Sequence, residues 1–246
     1  VIKNSDNRGF AAAVNQGMAA AIEAGVPFLF LLNNDAELRT DTLARLFDAA
    51  RRHPEADLLA PKIVRPDGRL WCAGVDLGWF PNLQRLRGFD RPDHGQYDRE
   101  EPVDALTGCG LLIRSALIAR VGAFDEAYFV YLEDIDLCLR ARAAERACRY
   151  VPSAVMVHDA SASSGGGYGA WRKHMVAYNL VLLLRRRGTP KLWMAFWVLE
   201  VLAWPLLFVS AAFRGRTRAA LAKARGTWKA LLHRPHERPV IPGAAS

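Results

Sequence analysis

The sequence predicts an α/β fold in which a mostly parallel sheet is flanked by helices. A short apolar run at Phe28–Leu32 follows Pro27, and such a run is typical of a buried parallel strand. Segments with helical and strand patterns then alternate along the chain, as in folds built on a parallel sheet. The hydrophobic share of 51% in 246 residues allows one large domain plus an appendage.

Caps, glycines and prolines set the bounds of the predicted elements. Gly25 ends the first, alanine-rich helix, since glycine suits the position after a helix. Thr40 or Asp41 caps the second helix, and Pro54 stops it because the residue before a proline disfavours helical angles. The predicted elements in order are a helix over 10–24, a strand over 28–32, a helix over 41–52, strands over 57–64 and 70–75 joined by the turn Asp67-Gly68, a long loop over 78–102, a strand over 103–113 interrupted at Gly108 and Gly110, helices over 115–121 and 133–144, a strand over 149–157, a flexible segment over 165–167 and a helix over 171–186.

A polar turn, Asn33-Asn34-Asp35, follows the first predicted strand directly. Polar residues at the carboxyl end of such a strand lie where open α/β sheets bind ligands. The carboxylate of Asp35 is a hard oxygen ligand suited to Mg²⁺ or Mn²⁺ that also holds phosphate oxygens. The alternative is an Asn/Asp turn that only ends the strand.

An acidic helix start occurs at Tyr131–Arg140, where Glu133, Asp134 and Asp136 lie among apolar residues at helical spacing. Carboxylates in a first turn suit the positive end of a helix dipole, and in a cleft one of them can act as a general base. The alternative is a capped surface helix with an ion pair between Asp136 and Arg140, four residues apart. We assign Asp136 to that structural pair.

Three further features have both a binding and a structural interpretation. Asn7, Gly9 and Asn15 surround a loop-to-helix start, which offers backbone N–H groups to anions or is an ordinary cap, with Asn15 bracing the loop. Glycines in the segment Gly108-Cys109-Gly110 let a ligand approach the backbone or mark a bulge in an edge strand. His158 ends the last predicted strand, where it is either a ligand or a structural histidine.

The C-terminal part combines an apolar run with clustered basic residues. Leu192–Phe213 is long enough to span a bilayer as a helix, but Glu200 near its middle costs about 3 kcal/mol if it faces lipid. A span, an in-plane hairpin kinked at Pro205 and a buried soluble helix remain alternatives. Basic residues on both sides, from Arg185 to Arg238, indicate contact with anionic lipid headgroups.

Charge and cysteine usage argue against two classes of function. The formal net charge is +8, but Trp193, Trp197 and Trp204 lie in the apolar run rather than among the basic residues, which disfavours nucleic-acid binding. The four cysteines have no CxxC spacing and no paired histidines, which disfavours a zinc site. We expect them to be buried thiols, including Cys109 beside the predicted site.

Six segments in this order resemble family 2 glycosyltransferases, and rhamnosyltransferase-like bacterial members above all, over about residues 1 to 185. They are Asn7–Asn15 (NRGFAAAVN), Leu31–Asp35 (LLNND), Thr107–Gly110 (TGCG), Gly122–Glu126 (GAFDE), Tyr131–Asp136 (YLEDID) and His158. Each segment alone is weak, and six in register are specific. Two departures are that the metal motif has a single acid, Asp35, and that the chain begins at Val1 where family members carry a strand, a helix and a second strand first.

The resemblance implies a GT-A fold and a site for a nucleotide-sugar donor. It implies that Asn7, Gly9, Asn15, Asn33, Asn34 and Asp35 contact the donor, and that Gly108, Cys109 and Gly110 lie on the acceptor side. The family position of the general base matches Asp134, with Glu133 as the substitute if the helix register differs. His158 matches the position that completes, with Asp35, the Mg²⁺ or Mn²⁺ contact. A single base implies transfer with inversion at the anomeric carbon.

We therefore predict a metal-dependent, inverting glycosyltransferase at the cytoplasmic face of a bacterial inner membrane. Its acceptor would be a hydroxyl of a lipid-linked or cell-envelope glycan. We divide the chain into a partial GT-A domain over 1–172, without its first strands, and a helical, basic, membrane-associated region over 173–246. The alternative function is a catalytically incomplete fragment that serves as a membrane-bound interaction domain.

Overall fold

The computed structural model describes residues 1–78, 84–159 and 169–233. The strands in these residues are β1 Phe28–Leu32, β2 Ala36–Leu38, β3 Ala56–Val64, β4 Leu70–Cys72, β5 Val75–Leu77, β6 Gln84–Leu86, β7 Glu101–Val103, β8 Gly110–Arg114 and β9 Ala147–His158. The helices are α1 Phe10–Glu23, α2 Thr42–Arg52, α3 Ser115–Val121, α4 Glu133–Ala143, α5 Ala170–Arg187, α6 Pro190–Phe196, a π-helical segment Trp197–Leu202, α7 Trp204–Phe213 and α8 Thr217–Leu232.

The main sheet is mixed, so the prediction of a mostly parallel sheet is wrong. Its strand order is β1-β8-β3-β9-β2, with β4 beside β3 and β7 beside β9. In the described ranges only β3 and β9 pair in parallel. An apolar run predicts that a strand forms. It does not predict the direction of the neighbouring strand, because distant residues set that direction.

The first strand is less buried than its sequence indicates. β1 pairs antiparallel with β8, with Leu32 opposite Gly110, and it lies at one edge of the described sheet. The side chain of Leu32 is consequently exposed, whereas β3 in the centre is buried at every position. The prediction of a strand at 28–32 is confirmed, and the prediction that it is a buried parallel strand is wrong.

The region after β3 contains more strand than predicted. The hairpin turn is confirmed, since the Gly68 N–H donates to the Arg65 carbonyl at 2.9 Å and Gly68 has the left-handed φ of 81° that favours glycine. The predicted loop over 78–102 includes β6 and the start of β7, and its residues 79–83 lie outside the described part. Buried Lys62 holds this loop through Asp93, at 2.8 Å, and through Asp98.

The predicted strand over 103–113 is two strands, β7 and β8, separated by residues 104–109. Position 110, where β8 begins, requires glycine, because a Cβ there would lie 2.1 Å from the Met156 sulfur on β9. The predicted helix over 133–144 and the strand over 149–157 are confirmed as α4 and β9. The segment predicted to be flexible, 165–167, lies outside the described residues.

Helix α5 connects the sheet region with the C-terminal helices. Leu182 and Leu183 belong to the core that includes the sheet, whereas Val181 packs in a smaller cluster with Phe196 and Ala230 of the C-terminal helices. Arg185 donates from α5 to carbonyls at the end of α8. The predicted domain boundary at residue 172 falls inside α5 and stays a prediction.

The apolar C-terminal run is a bent pair of helices. Among the described residues no single helix has the length and apolar content to cross a membrane, whereas Pro190–Leu202 and Trp204–Phe213, bent by 46°, meet that criterion together. The break lies just before Pro205, in agreement with the predicted kink. Glu200 is paired with Lys223 of α8 at 2.5 Å, which offsets the expected cost of a carboxylate in this run.

Candidate active site

A carboxylate and a histidine meet where the polar turn after β1 joins β2. β2 pairs antiparallel with β9 so that Ala36 lies opposite His158, and this register brings the preceding Asp35 to the histidine. The Asp35 Oδ1 and His158 Nε2 atoms are 3.1 Å apart, and both side chains are nearly buried. The ring of Trp71 packs edge-on against the His158 ring at 4.6 Å between centroids. The pair is therefore fixed by sheet register and packing.

Asp134 lies in the first turn of α4. Its Oδ2 accepts a hydrogen bond from the Gly108 N–H at 3.0 Å, and its Oδ1 accepts one from the Ile135 N–H at 2.8 Å. Burial raises the pKa of Asp134, and the backbone N–H groups of Gly108 and Ile135 oppose that rise. A carboxylate whose pKa is raised above its usual range is a stronger base than a free aspartate, which suits a general base.

Glu133, the neighbouring acid, is in a different state. Its side chain is buried and its Oε2 atom has no hydrogen-bond partner in the described part of the chain. Burial first, and then the charge of Asp134, raise the pKa of Glu133 well above its usual range. Two adjacent buried carboxyls do not both ionise easily, and the larger rise in pKa falls on Glu133, whereas the two backbone N–H groups that Asp134 accepts limit its rise.

The segment Thr107–Gly110 lies between the two acidic elements. The Asn33 N–H donates to the Cys109 carbonyl at 3.0 Å on one side, and Gly108 donates to Asp134 on the other. Burial raises the pKa of the Cys109 thiol to about 12, and the negative charges of Asp134 and Asp35 both add to that rise. Asp134 therefore contacts this segment directly, and the turn that carries Asp35, the partner of His158, contacts it through Asn33.

A cavity of about 420 Å³ opens beside this segment, between α1 and β1. Its walls are mostly apolar, and Asn33 and Gly108 supply polar backbone at its rim. The side chains of Asn33 and Asn34 make no hydrogen bond within the described ranges. An apolar cavity with a few polar groups is the usual form of a small-molecule site.

The N-terminal residues predicted to contact the nucleotide-sugar donor make hydrogen bonds and packing contacts within the protein. Asn7 accepts a hydrogen bond from the Gly9 N–H, and a Cβ on Gly9 would lie 2.5 Å from a ring carbon of Phe129. The Asn15 amide donates to the Phe124 carbonyl at 2.8 Å and accepts from its N–H at 3.0 Å. Asn15 therefore braces the loop before α4, one of the two interpretations of its sequence position. A donor role for these three residues stays a prediction.

The residues predicted for the acceptor side differ in their surroundings. Gly108 faces Asp134, where a Cβ would make only ordinary contacts, 3.6 Å from the Asp134 Cβ. Gly110 is needed for packing against Met156, so its glycine is explained without a ligand. Cys109 is buried and hydrogen-bonded to Thr107, as expected for a small core residue. Of the three, Gly108 has the surroundings of a ligand-facing residue.

The structural assignment of Asp136 is confirmed. Arg140 donates to Asp136 Oδ2 at 2.8 Å, with Asp136 fully buried. The sequence analysis missed a second partner, Arg187 at the end of α5, which contacts Asp136 Oδ1 at 3.1 Å. It also missed Asn179, whose amide donates to two carbonyls before α4. A lone asparagine inside the apolar stretch of that helix was the available signal.

The donor set fits a divalent cation that also binds a ligand. One carboxylate and one imidazole lie in contact, and Mg²⁺ is usually held by one or two carboxylates plus substrate phosphates and water. The described residues contain no group of three or more His, Cys, Asp or Glu side chains able to hold a metal. A cation held by Asp35 and His158 would therefore need further ligands, such as phosphate oxygens and water.

Comparisons with known proteins place this geometry in a family. The model of "Glycosyl transferase family 2" matches residues 1–118, which include the Asp35 turn and the Gly108 segment. An N-acetylglucosaminyl-diphospho-decaprenol L-rhamnosyltransferase of Mycobacterium tuberculosis is 33% identical over 183 residues, which is 65% of this chain and 58% of the relative. Over residues 1–118 the chain matches glycosyltransferase family 2. The predicted likeness to rhamnosyltransferases is confirmed as well.

Two solved structures are similar to the fold of this chain. A mannosyltransferase from Pyrobaculum calidifontis, in complex with GDP-Man and Mn²⁺, has a TM-score of 0.54 and 18% identity, covering 94% of this chain and 69% of that chain. GalNAc-T7 with UDP, GalNAc and Mn²⁺ has a TM-score of 0.54 and 15% identity, covering 75% and 37%. The chain thus has a GT-A-like fold. It spans 58% of the length of its mycobacterial relative.

Proposed function

We propose that this protein transfers a sugar from a nucleotide-diphosphate sugar to a hydroxyl of a lipid-linked or cell-envelope glycan, with inversion at the anomeric carbon. The family match and the rhamnosyltransferase relative support an enzyme over the alternative of an inactive interaction domain. Rhamnose as the sugar rests on that likeness. The mycobacterial relative is named for an acceptor on diphospho-decaprenol, which favours a lipid-linked acceptor here.

The observation that carries the proposal is the meeting of two acidic elements at one segment. Asp134 binds the Gly108 N–H, and the turn that leads to Asp35 binds the Cys109 carbonyl. Asn33 and Asp134, about 100 positions apart in the chain, are thereby held at consecutive residues of one backbone segment.

The chemistry assigns a separate task to each element. Asp134 takes the proton of the acceptor hydroxyl as its oxygen bonds to the anomeric carbon, while the bond from that carbon to the leaving phosphate oxygen breaks. General-base assistance of this kind typically contributes 10²–10⁴-fold. Gly108 fixes the base through its N–H. A divalent metal, when bound by Asp35 and His158, would neutralise charge on the leaving diphosphate.

A donor assay tests the function directly. The protein is incubated with a panel of nucleotide sugars and a polyprenyl-diphosphate glycan acceptor, with Mn²⁺, with Mg²⁺ or with a chelator. We expect one donor to give product, and we expect the chelator to stop the transfer. Binding of a donor stabilises the folded state, so the same donor should raise the melting temperature. Absence of both transfer and stabilisation across the panel would contradict the proposal.

We further propose that the C-terminal helices lie in the surface of an anionic membrane, at its cytoplasmic face. α7 and the π-helical segment have no buried side chain, and several large apolar residues are exposed. Among them, Leu202 is 73% exposed, Leu206 76% and Phe213 89%. Arginines at 214, 216 and 218 follow directly, and such residues suit lipid phosphates. The 46° bend supports an in-plane arrangement over a straight span.

Vesicle binding tests the membrane proposal. The wild-type protein should sediment with vesicles that contain phosphatidylglycerol, and less with pure phosphatidylcholine or at high salt. The double substitution L206E/F213E should reduce sedimentation about tenfold or more, because it places charge in the apolar contact. L43E, on the exposed face of α2, is the matched control and should bind as the wild type does. Equal binding by both variants would refute the proposed surface.

A further inference from the structure

We propose that Asn179 of α5 is a positioning residue for Asp134, an inference that rests on the proposed function. Asn179 is fully buried, and its amide nitrogen donates to the carbonyls of Val130 at 2.8 Å and Tyr131 at 2.7 Å. Both N–H groups of the amide are thus spent on the turn that leads into α4. The second of these two residues, Tyr131, lies three positions before Asp134.

The backbone of this turn is strained and depends on surrounding contacts. Tyr131 and Leu132 have φ values of 73° and 71°, so two consecutive residues with side chains occupy the left-handed region. Such a conformation is unfavourable for residues other than glycine and persists when surrounding contacts enforce it. Strained backbone of this kind is concentrated at functional sites. The strain here sits directly before Glu133, where α4 begins.

Helix α5 contacts this turn at several points besides Asn179. The ring of Trp171 packs against Tyr131 at 6.0 Å between centroids, and the Arg172 guanidinium lies over the same ring at 5.6 Å. At the other end of α5, Arg187 contacts Asp136 at 3.1 Å. α5 therefore holds the residues on both sides of Asp134, and Asn179 supplies the hydrogen bonds in the middle.

The consequence for the site is geometric. The Asp134 carboxylate reaches the Gly108 N–H from the first turn of α4, whose start is set by the left-handed pair. If the carbonyls of Val130 and Tyr131 lost their donors, the turn could relax and move the carboxylate relative to Gly108. A displacement of about 1 Å at a catalytic group costs on the order of 10²-fold in rate. The effect would fall on the chemical step rather than on donor binding.

Two substitutions test this role. N179D keeps the size of the side chain but replaces the NH₂ group that donates to both carbonyls by an oxygen, and N179A removes that group altogether. We expect either variant to lower kcat by about 10²-fold and to leave KM for the donor within about threefold. V181A is the matched control, because Val181 is equally buried on α5 but packs against Phe196 and Ala230 instead of the turn. It should keep kcat within about threefold of wild type.

A second measurement keeps the test decisive if a variant is unstable or the wild type shows no transfer. Amide hydrogen exchange at residues 131–136 should be faster in N179A than in V181A at matched distance from each melting temperature. A kcat or exchange rate in the Asn179 variants equal to that in V181A would overturn the inference. Absence of transfer by the wild type would instead refute the proposed function, and the exchange result would still decide the role of Asn179.

Discussion

Replacement of Asp134 by asparagine should lower the rate of sugar transfer by about 10²–10⁴-fold, the usual contribution of a general base. The asparagine oxygen still accepts the hydrogen bond from the Gly108 N–H, but its NH₂ group replaces the oxygen that accepts from the Ile135 N–H, so we expect the fold and donor binding to be retained at a somewhat lower melting temperature. The loss should therefore appear in kcat, with the melting-temperature shift caused by the donor unchanged. A D134N enzyme with the wild-type rate would remove Asp134 from the mechanism.

Glu133 provides the comparison for this experiment, since it is adjacent and also buried. E133Q mimics the protonated state that burial favours, so transfer should remain within about tenfold of wild type. The pH profile should distinguish the two acids further. Because a base must be ionised, kcat of the wild type should fall as pH decreases through the raised pKa of Asp134. Retention by D134N and loss by E133Q would assign the base to Glu133.

Replacement of Asp35 by asparagine should lower transfer by roughly 10²-fold or more. A metal that stabilises charge on a leaving diphosphate supplies several kcal/mol, and about 1.4 kcal/mol corresponds to tenfold in rate. The substitution removes the anionic member of the Asp35–His158 pair. The Mn²⁺ concentration needed for half-maximal activity should rise, and the stabilisation of the folded protein by Mn²⁺ plus donor should decrease in a thermal-shift assay.

The matched control for Asp35 is Glu37, two residues further along on β2 and exposed. E37Q removes the same charge without touching the pair, so its Mn²⁺ dependence should equal that of the wild type. Equal Mn²⁺ dependence in D35N would show that the pair has only a structural role, as a hydrogen bond between the polar turn and the end of β9. Equal losses in D35N and E37Q would point to a general charge effect.

The local sequence predicts most of the elements of this fold, and it fails on how the strands pair. The Asp-Gly turn at 67–68 and the acidic start of α4 carry their own structural signals, and both are confirmed. The direction of β1 is decided by β8, which lies about 80 residues later. The need for glycine at position 110 depends on Met156 of β9, which occupies the space that a side chain there would need. Such contacts are invisible in a local pattern.

In the candidate site, too, the residues could be predicted from the local sequence, but the contacts between them could not. Asp35 and His158 could be predicted as separate strand-end residues, but their 3.1 Å contact depends on the register of β2 against β9. Trp71 could not be predicted beside His158, since its position follows from a neighbouring hairpin. The sequence allowed Asn15 to bind an anion or to brace the loop. Its hydrogen bonds to the backbone of Phe124, which lies 109 residues later, could not be predicted from the local sequence.

The most direct test of the central claim is a crystal structure of the protein with Mn²⁺ and its nucleotide-sugar donor, with the metal located by anomalous scattering. The proposed function predicts a Mn²⁺ ion bound to the Asp35 carboxylate and to His158 Nε2, with the anomeric carbon of the sugar on the side of Asp134 and Gly108. A metal and diphosphate bound away from this segment, with Asp134 facing no sugar, would contradict it.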